Sequence, residues 1–275
     1  MEKKTHTSAK SLPTVAELRK QAEQAIAAYQ YAEAVRILTS ALEALHRSRR
    51  PKPLEEYGLL SLRADSHFYN ADFQERVADL QVMVDLAQQM GDLRRQAAST
   101  NRLIRAWLTL GDTPEASSYL DTALHIAQEL GDPELIADAF LSHCYFNETM
   151  GNLSQSLSQA EEALRFYRQT GNITGKIDCL LRIASVKYRT GESVAAIKTA
   201  HEAVRFSKEH GERWREAKSL NSLGNFSSDL ADQRGYYEQA LEIFREISSQ
   251  QGISMAINNL CLVYEGLGLY ETARE

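Results

Sequence analysis

Residues 91–132 read GDLRRQAASTNRLIRAWLTLGDTPEASSYLDTALHIAQELGD, and this stretch decides the fold. Its three Gly-Asp pairs, at 91–92, 111–112 and 131–132, stand twenty residues apart. The spacing continues as Gly151-Asn152, Gly171-Asn172, Gly191-Glu192 and Gly211-Glu212, with Ala71-Asp72 and Ala231-Asp232 one step further on either side. Glycine adopts φ > 0 at low cost and suits the residue just past a helix end. Asp or Asn after it can accept a hydrogen bond from a free backbone N–H and start the next helix. Glutamate, at 192 and 212, caps less well but carries the charge a helix N-terminus favours. Each step is then a tight turn plus a helix of about four turns, roughly 23 Å long. Two steps make a helical hairpin, and a fixed period marks a stacked repeat array rather than a closed globule.

Within each hairpin the apolar residues recur at helical spacing. Ala116, Tyr119, Leu120, Ala123, Leu124 and Ala127 form one face of a second helix. Ala160, Ala163, Leu164 and Tyr167 repeat much of that face, as do Ala196, Ala200, Ala203 and Val204. The first helices carry their own echo in Leu103-Ile104, His143-Cys144, Ile183-Ala184, Leu223-Gly224 and Leu260-Cys261, commonly a large residue beside a small one.

These residues resemble the tetratricopeptide repeat pattern, with Leu-Gly in the first helix and small residues at two places in the second. The two small places fall on Ala34/Ala41, Ala116/Ala123, Ser156/Ala163 and Ala196/Ala203, while the second hairpin departs with Arg76 and Met83. The forty-residue period is similar to the long-helix repeats of kinesin light chains, spindle-orientation adaptors and the sensor arms of large bacterial regulators and cyclases. The resemblance implies an all-α fold, a right-handed α–α superhelix of about 6.5 hairpins spanning residues 14–275 behind a flexible tail at 1–13. The hairpins fall at roughly 14–47, 55–91, 95–131, 135–171, 175–211, 215–248 and 252–275, the last incomplete.

Two irregularities carry expectations. Between the first two hairpins lies a basic turn, Arg47-Ser48-Arg49-Arg50-Pro51-Lys52-Pro53, read as a solvated loop that proline keeps out of the helices. In the sixth hairpin the lattice runs only seventeen residues from Ala231 to Ser248, which predicts a second helix one turn short. At Glu275 the last hairpin is unfinished, so Leu260, Val263 and Leu267 are expected to lack cover unless a second copy (a homodimer) or a further domain supplies it.

Composition narrows the function. A net charge of −6 disfavours a nucleic-acid binder, and no stretch approaches the eighteen apolar residues of a membrane span. Three scattered cysteines and a polar N-terminus without a signal-peptide core point to a reducing, cytoplasmic setting. No cofactor or metal motif emerges: Gly171 to Lys176 is one spacer short of a phosphate loop and is followed by Ile177 instead of Ser or Thr. Adjacent residues on a helix point about 100° apart, so His143 and Cys144 form no nucleophile pair. The chain therefore reads as a non-enzymatic scaffold for signal transduction.

First helices line the concave wall of such arrays, and solenoids bind extended partners there. Carried over from the resemblance, the wall places fall on Asn101 and Arg105, Tyr145, Asn221 and Asn225, and Asn258, with Arg182 at its edge and Tyr188 and Arg189 following. Asn amides can pair with any extended backbone, Arg offers a fork for a carboxylate or phosphate, and Tyr offers flat apolar area. The lysine–asparagine clamp that some relatives use for a C-terminal carboxylate is not reproduced, since Asn221 stands at its lysine place. These residues imply a protein or peptide partner held in the groove, with neither nucleic acid nor membrane involved. The alternative reading is a peptide- or ligand-sensing arm of a larger bacterial signalling protein, a nucleotide cyclase or transcription regulator.

Overall fold

The computed structural model describes residues 13–47 and 52–269, and thirteen α-helices without strands account for nearly all of them. They pair in chain order: α1 (Val15–Ala27) with α2 (Tyr31–His46), α3 (Pro53–Asn70) with α4 (Phe73–Gln89), and α5 (Leu93–Leu110) with α6 (Thr113–Leu130). Next come α7 (Pro133–Thr149) with α8 (Leu153–Thr170), α9 (Ile173–Arg189) with α10 (Ser193–Glu209), and α11 (Arg213–Phe226) with α12 (Leu230–Glu246). The last helix among the described residues is α13 (Gln250–Gly266).

The glycine lattice works as its chemistry predicts. The seven lattice glycines, from Gly91 to Gly211 at twenty-residue steps, sit at φ between 59° and 88°, the left-handed region that ends a helix. Ala71 takes their place at φ 65° and bears the Cβ strain they avoid. Asp92, Asp112, Asp132 and Asn172 each accept a backbone N–H of the following helix, whereas Asn152, Glu192 and Glu212 make no such bond. The small places Ala34, Ala41, Ala116, Ala123, Ser156, Ala163, Ala196 and Ala203 are all fully buried, which lets helices pack closely.

Three sequence expectations need correction or fall out of view. In the sixth hairpin the second helix, α12, has a full 17 residues, and the short one is α11 with 14. The cause is Asp229, whose carboxylate accepts from the N–H groups of Ala231 and Asp232 and so starts α12 before the lattice position. Leu260 and Val263 are not uncovered: they pack with Phe244 and Ile247 of the α12 side and are 6% and 2% exposed, whereas Leu267 stays 40% exposed as expected. Residues 1–12, 48–51 and 270–275, which include most of the N-terminal tail and the basic turn, lie outside the described residues.

Each helix packs on the next, and α1 on α3, α5 on α7, α7 on α9, α9 on α11 and α11 on α13. The even helices pack only on odd ones. Contact between successive odd helices, all pairs but α3 and α5, with the even ones splayed apart, makes the odd helices the inner layer of a curved stack. The curve comes nearly full circle. Helix α13 packs on α3, and Phe68 and Tyr69 at the end of α3 meet Trp214 at the start of α11, with ring centroids 5.2 and 6.4 Å away. Tyr31 stacks on Tyr69 at 4.5 Å, extending this aromatic seam to α2. The seam encloses the concave face as a channel.

Candidate functional site in the concave channel

A ladder of ion pairs runs along the channel wall, each tying one odd helix to the next. Asp65 on α3 meets Arg102 on α5 at 2.6 Å, and Arg105 on α5 meets Asp138 on α7 at 3.7 Å. Glu148 on α7 meets Arg182 on α9 at 3.0 Å, and Asp178 on α9 takes two bonds from Arg215 on α11, at 3.0 and 3.2 Å. The final rung is neutral: Asn259 on α13 donates to Asn221 on α11 at 2.9 Å. Hydroxyl groups complete the rungs, with Ser185 donating to Glu148 and Tyr167 to Asp138, both at 2.6 Å.

The wall's titration follows from its enclosure. Burial raises the Asp178 carboxyl, but Arg215 and Lys218 outweigh it, so the group sits below the usual carboxylate range. At Asp138 burial prevails over Arg105, and its carboxyl is raised. Burial likewise pushes the Tyr145 phenol up to about 12 and the Cys144 thiol up to about 11. Cys144 is fully buried against Ser156, which fits a packing role instead of a reactive one.

Two cations on this surface have no carboxylate partner within 4 Å among the described residues. Lys218 on α11 rests its ammonium over the Trp214 ring, 4.8 Å from its centroid. Burial and then the charge of Arg182 lower its pKa to about 8. Its nearest carboxylates, Asp178 and Glu148, are engaged by Arg215 and Arg182. Arg76 on α4 lies over the Phe68 ring at 4.6 Å, with its Nε buried and unbonded. Sequence reasoning passed over Lys218, Asp178 and Glu148. The available signal was opposite charge recurring 33 to 37 residues apart on successive first helices.

The residues expected to line the groove divide in two. Asn101 is fully buried, its side-chain oxygen accepting from Ser142 at 2.9 Å and its amide nitrogen unbonded. Asn221 is 3% exposed and held by Asn259. Both carboxamides are absorbed between helices. Arg105, Tyr145 and Arg182 are half-buried and cluster, with the Arg182 guanidinium 4.8 Å over the Tyr145 ring and its Nε unbonded. Tyr188, 37% exposed, leans on Phe226 at 4.8 Å; Arg189 reaches the Glu148 carbonyl at 2.9 Å. Asn225 and Asn258 are exposed, and Asn225 accepts from the Tyr237 hydroxyl at 2.7 Å.

No protein-family model matches the chain, and no curated protein matches its sequence. Solved structures do match its shape. The Rap conjugation gene regulator of plasmid pLS20, solved with a Phr peptide, is 12% identical with a TM-score of 0.75, over 100% of this chain and 76% of that one. BtubC (BKLC) from P. vanneervenii is 21% identical with a TM-score of 0.56, over 74% of this chain and 87% of that one. A signal-transduction ATPase with a tetratricopeptide repeat sensor, from Pyrococcus horikoshii, is 16% identical with a TM-score of 0.61, over 94% of this chain and 40% of that one. Thirteen helices in successive packed pairs, and likeness to these arrays across most of the chain, give this protein the α–α solenoid fold of the tetratricopeptide-type repeat proteins.

Proposed function

We propose that the protein is a non-enzymatic interaction scaffold that holds an extended peptide or protein segment in its concave channel. The observation that carries this reading is the polar surplus on the enclosed wall. The Nε atoms of Arg76 and Arg182 are buried without a hydrogen-bond partner, Lys218 has no carboxylate within 4 Å, and a ligand's carbonyl or carboxylate groups would complete them. Arg105, Tyr145, Tyr188, Arg189, Asn225 and Asn258 supply the side chains along the path, whereas Asn101 and Asn221 hold the wall together. The Rap regulator solved with a Phr peptide, and another solved with a competence and sporulation factor, lend the reading support from the same fold. The test is a titration with peptides selected from a randomised seven-residue library. Arg189→Ala and Asn258→Ala should weaken binding and leave the melting temperature nearly unchanged, while Val194→Ser on the outer layer should alter neither. Equal affinity in all four proteins contradicts the assignment.

One observation favours a second role as a sensing arm. The seam at Phe68, Tyr69 and Trp214 joins repeats distant in sequence, so a ligand that binds the closed curve better than an open one shifts the curvature of the whole array.

A further inference from the structure

Where the curve closes, the turn between α1 and α2 comes against the turn between α12 and α13, with the end of α3 beside both. A cavity of about 460 Å³ opens at this junction and shares no residue with the ion-pair ladder of the concave wall. Its size falls within the roughly 300–1,000 Å³ of small-ligand sites. Tyr29, Gln30, Tyr31 and Glu33 line it from the first hairpin, Asn70 from the second, and Ser248 and Gln250 from the α13 side. Among the described residues, all three non-glycine residues held at positive φ gather here: Tyr29 at 58° and Ser248 at 51° line the cavity, and Ala71 at 65° follows Asn70. Such strain persists only where the surroundings fix it, and it collects at ligand sites.

The lining is polar but offers no free charge. Both oxygens of Glu33 are taken by Arg36, and no lysine or arginine is among the lining residues. An anion would meet no cation here, and a cation would meet no unengaged carboxylate. The carboxamides of Gln30 and Gln250 have no hydrogen-bond partner among the described residues. Asn70 gives its amide nitrogen to Asp72 at 2.7 Å, which leaves its carbonyl oxygen to accept. Tyr31 is stacked on Tyr69, whereas Tyr29 stands 6.4 Å from Tyr31, tilted by 55° and 40% exposed, so a flat ring finds an aromatic surface. A carboxamide presents a donor and an acceptor side by side, the pairing that matches the edge of a nucleobase.

We infer that this cavity binds an uncharged planar heterocycle of the nucleobase class, as the free base or its nucleoside, stacked on Tyr29 and bonded at its edge by Gln30 and Gln250. The ligand touches both sides of the junction and so ties the first hairpin to the last helix. The site is separate from the concave channel and does not require a peptide there.

The experiment titrates the full chain, by calorimetry, with adenine, guanine, cytosine and uracil, their nucleosides and the nucleoside monophosphates. At least one base or nucleoside should bind, and its monophosphate should bind no more tightly. Gln30→Ala and Gln250→Ala, one on each side of the junction, should each weaken that ligand about two- to tenfold, the effect of one neutral hydrogen bond. Both side chains are exposed, so the two variants should melt with the parent chain, which separates a binding defect from a folding one. The control Gln155→Ala, on exposed α8 surface, should keep the parent affinity. Absence of binding by every base and nucleoside, or an unchanged affinity in both glutamine variants, overturns the inference and leaves the peptide reading standing. A monophosphate bound markedly more tightly than its nucleoside also overturns it, because the phosphate would then carry the recognition. Failure of the peptide titration with nucleoside binding intact overturns the peptide reading alone.

Discussion

Trp214 on α11 stands edge-on to Phe68 on α3, their ring centroids 5.2 Å apart and their planes at 61°, although four hairpins separate them in the chain. This contact converts a curved stack of neighbours into a closed turn. Removing it should open the curve without melting the hairpins, since each hairpin rests mainly on adjacent ones. Trp214→Ala is expected to increase the radius of gyration in small-angle scattering, keep the helical circular dichroism, and cost about 2–3 kcal/mol of stability. An unchanged radius would show that the seam does not set the curvature.

The left-handed turn at Ala71 is a place where the sequence departs from its own rule. Gly fills the equivalent position in the next seven turns, and Ala71 holds φ 65° with a Cβ. Ala71→Gly should therefore stabilise the chain by about 0.5–1 kcal/mol, the relief of left-handed strain less the extra chain entropy of glycine. Chemical denaturation measures it, and a loss of stability would refute the strain argument.

Gly175 makes the opposite case. A Cβ built there would lie 2.5 Å from the Tyr167 ring, which is 2% exposed and cannot retreat. Gly175→Ala should cost roughly 1–3 kcal/mol through overpacking, read as a lower denaturation midpoint with an unchanged slope.

The ladder predicts coupling between its rungs. Glu148→Gln leaves Arg182 without its carboxylate and should cost roughly 1–3 kcal/mol. Adding Arg182→Met should recover part of that loss, because the stranded charge is removed with its partner. A double-mutant cycle checks this, and simple additivity of the two losses would contradict it.

Lys218 gives a pH dependence of definite sign. Its pKa falls from 10.5 to about 8 in the folded chain, so between those values the unfolded state binds more protons. Its contribution to stability therefore rises as pH increases from about 8 toward 10.5. Cys144 and Tyr145, both raised by burial, act in the opposite direction as pH climbs, so the useful quantity is the parent chain minus Lys218→Met. That difference should grow in favour of the parent with rising pH, and a flat difference would mean the lysine is not desolvated.

What could be read from the sequence was local. The turn glycines, the caps at Asp92 and Asp132 and the buried slots at Ala116 and Ala123 each depend on residues within one hairpin, and their chemistry admits few alternatives. Asp229 escaped notice because the lattice position at Ala231 competed with a stronger cap two residues earlier. The meeting of Phe68 with Trp214 depends on small rotations summed over four hairpins, which no local pattern records. Asn101 and Asn221 occupied wall places by resemblance, but a place on a helix does not say whether the next helix covers it.

The most direct test of a channel that holds a peptide is site-specific photocrosslinking of a library-selected peptide to the full chain. A benzophenone amino acid at Tyr188, on the proposed peptide path, should capture the peptide, and the same group at Val194, 85% exposed on the second helix of that repeat, should not. Equal capture at both positions, or capture at Val194 alone, would contradict the account.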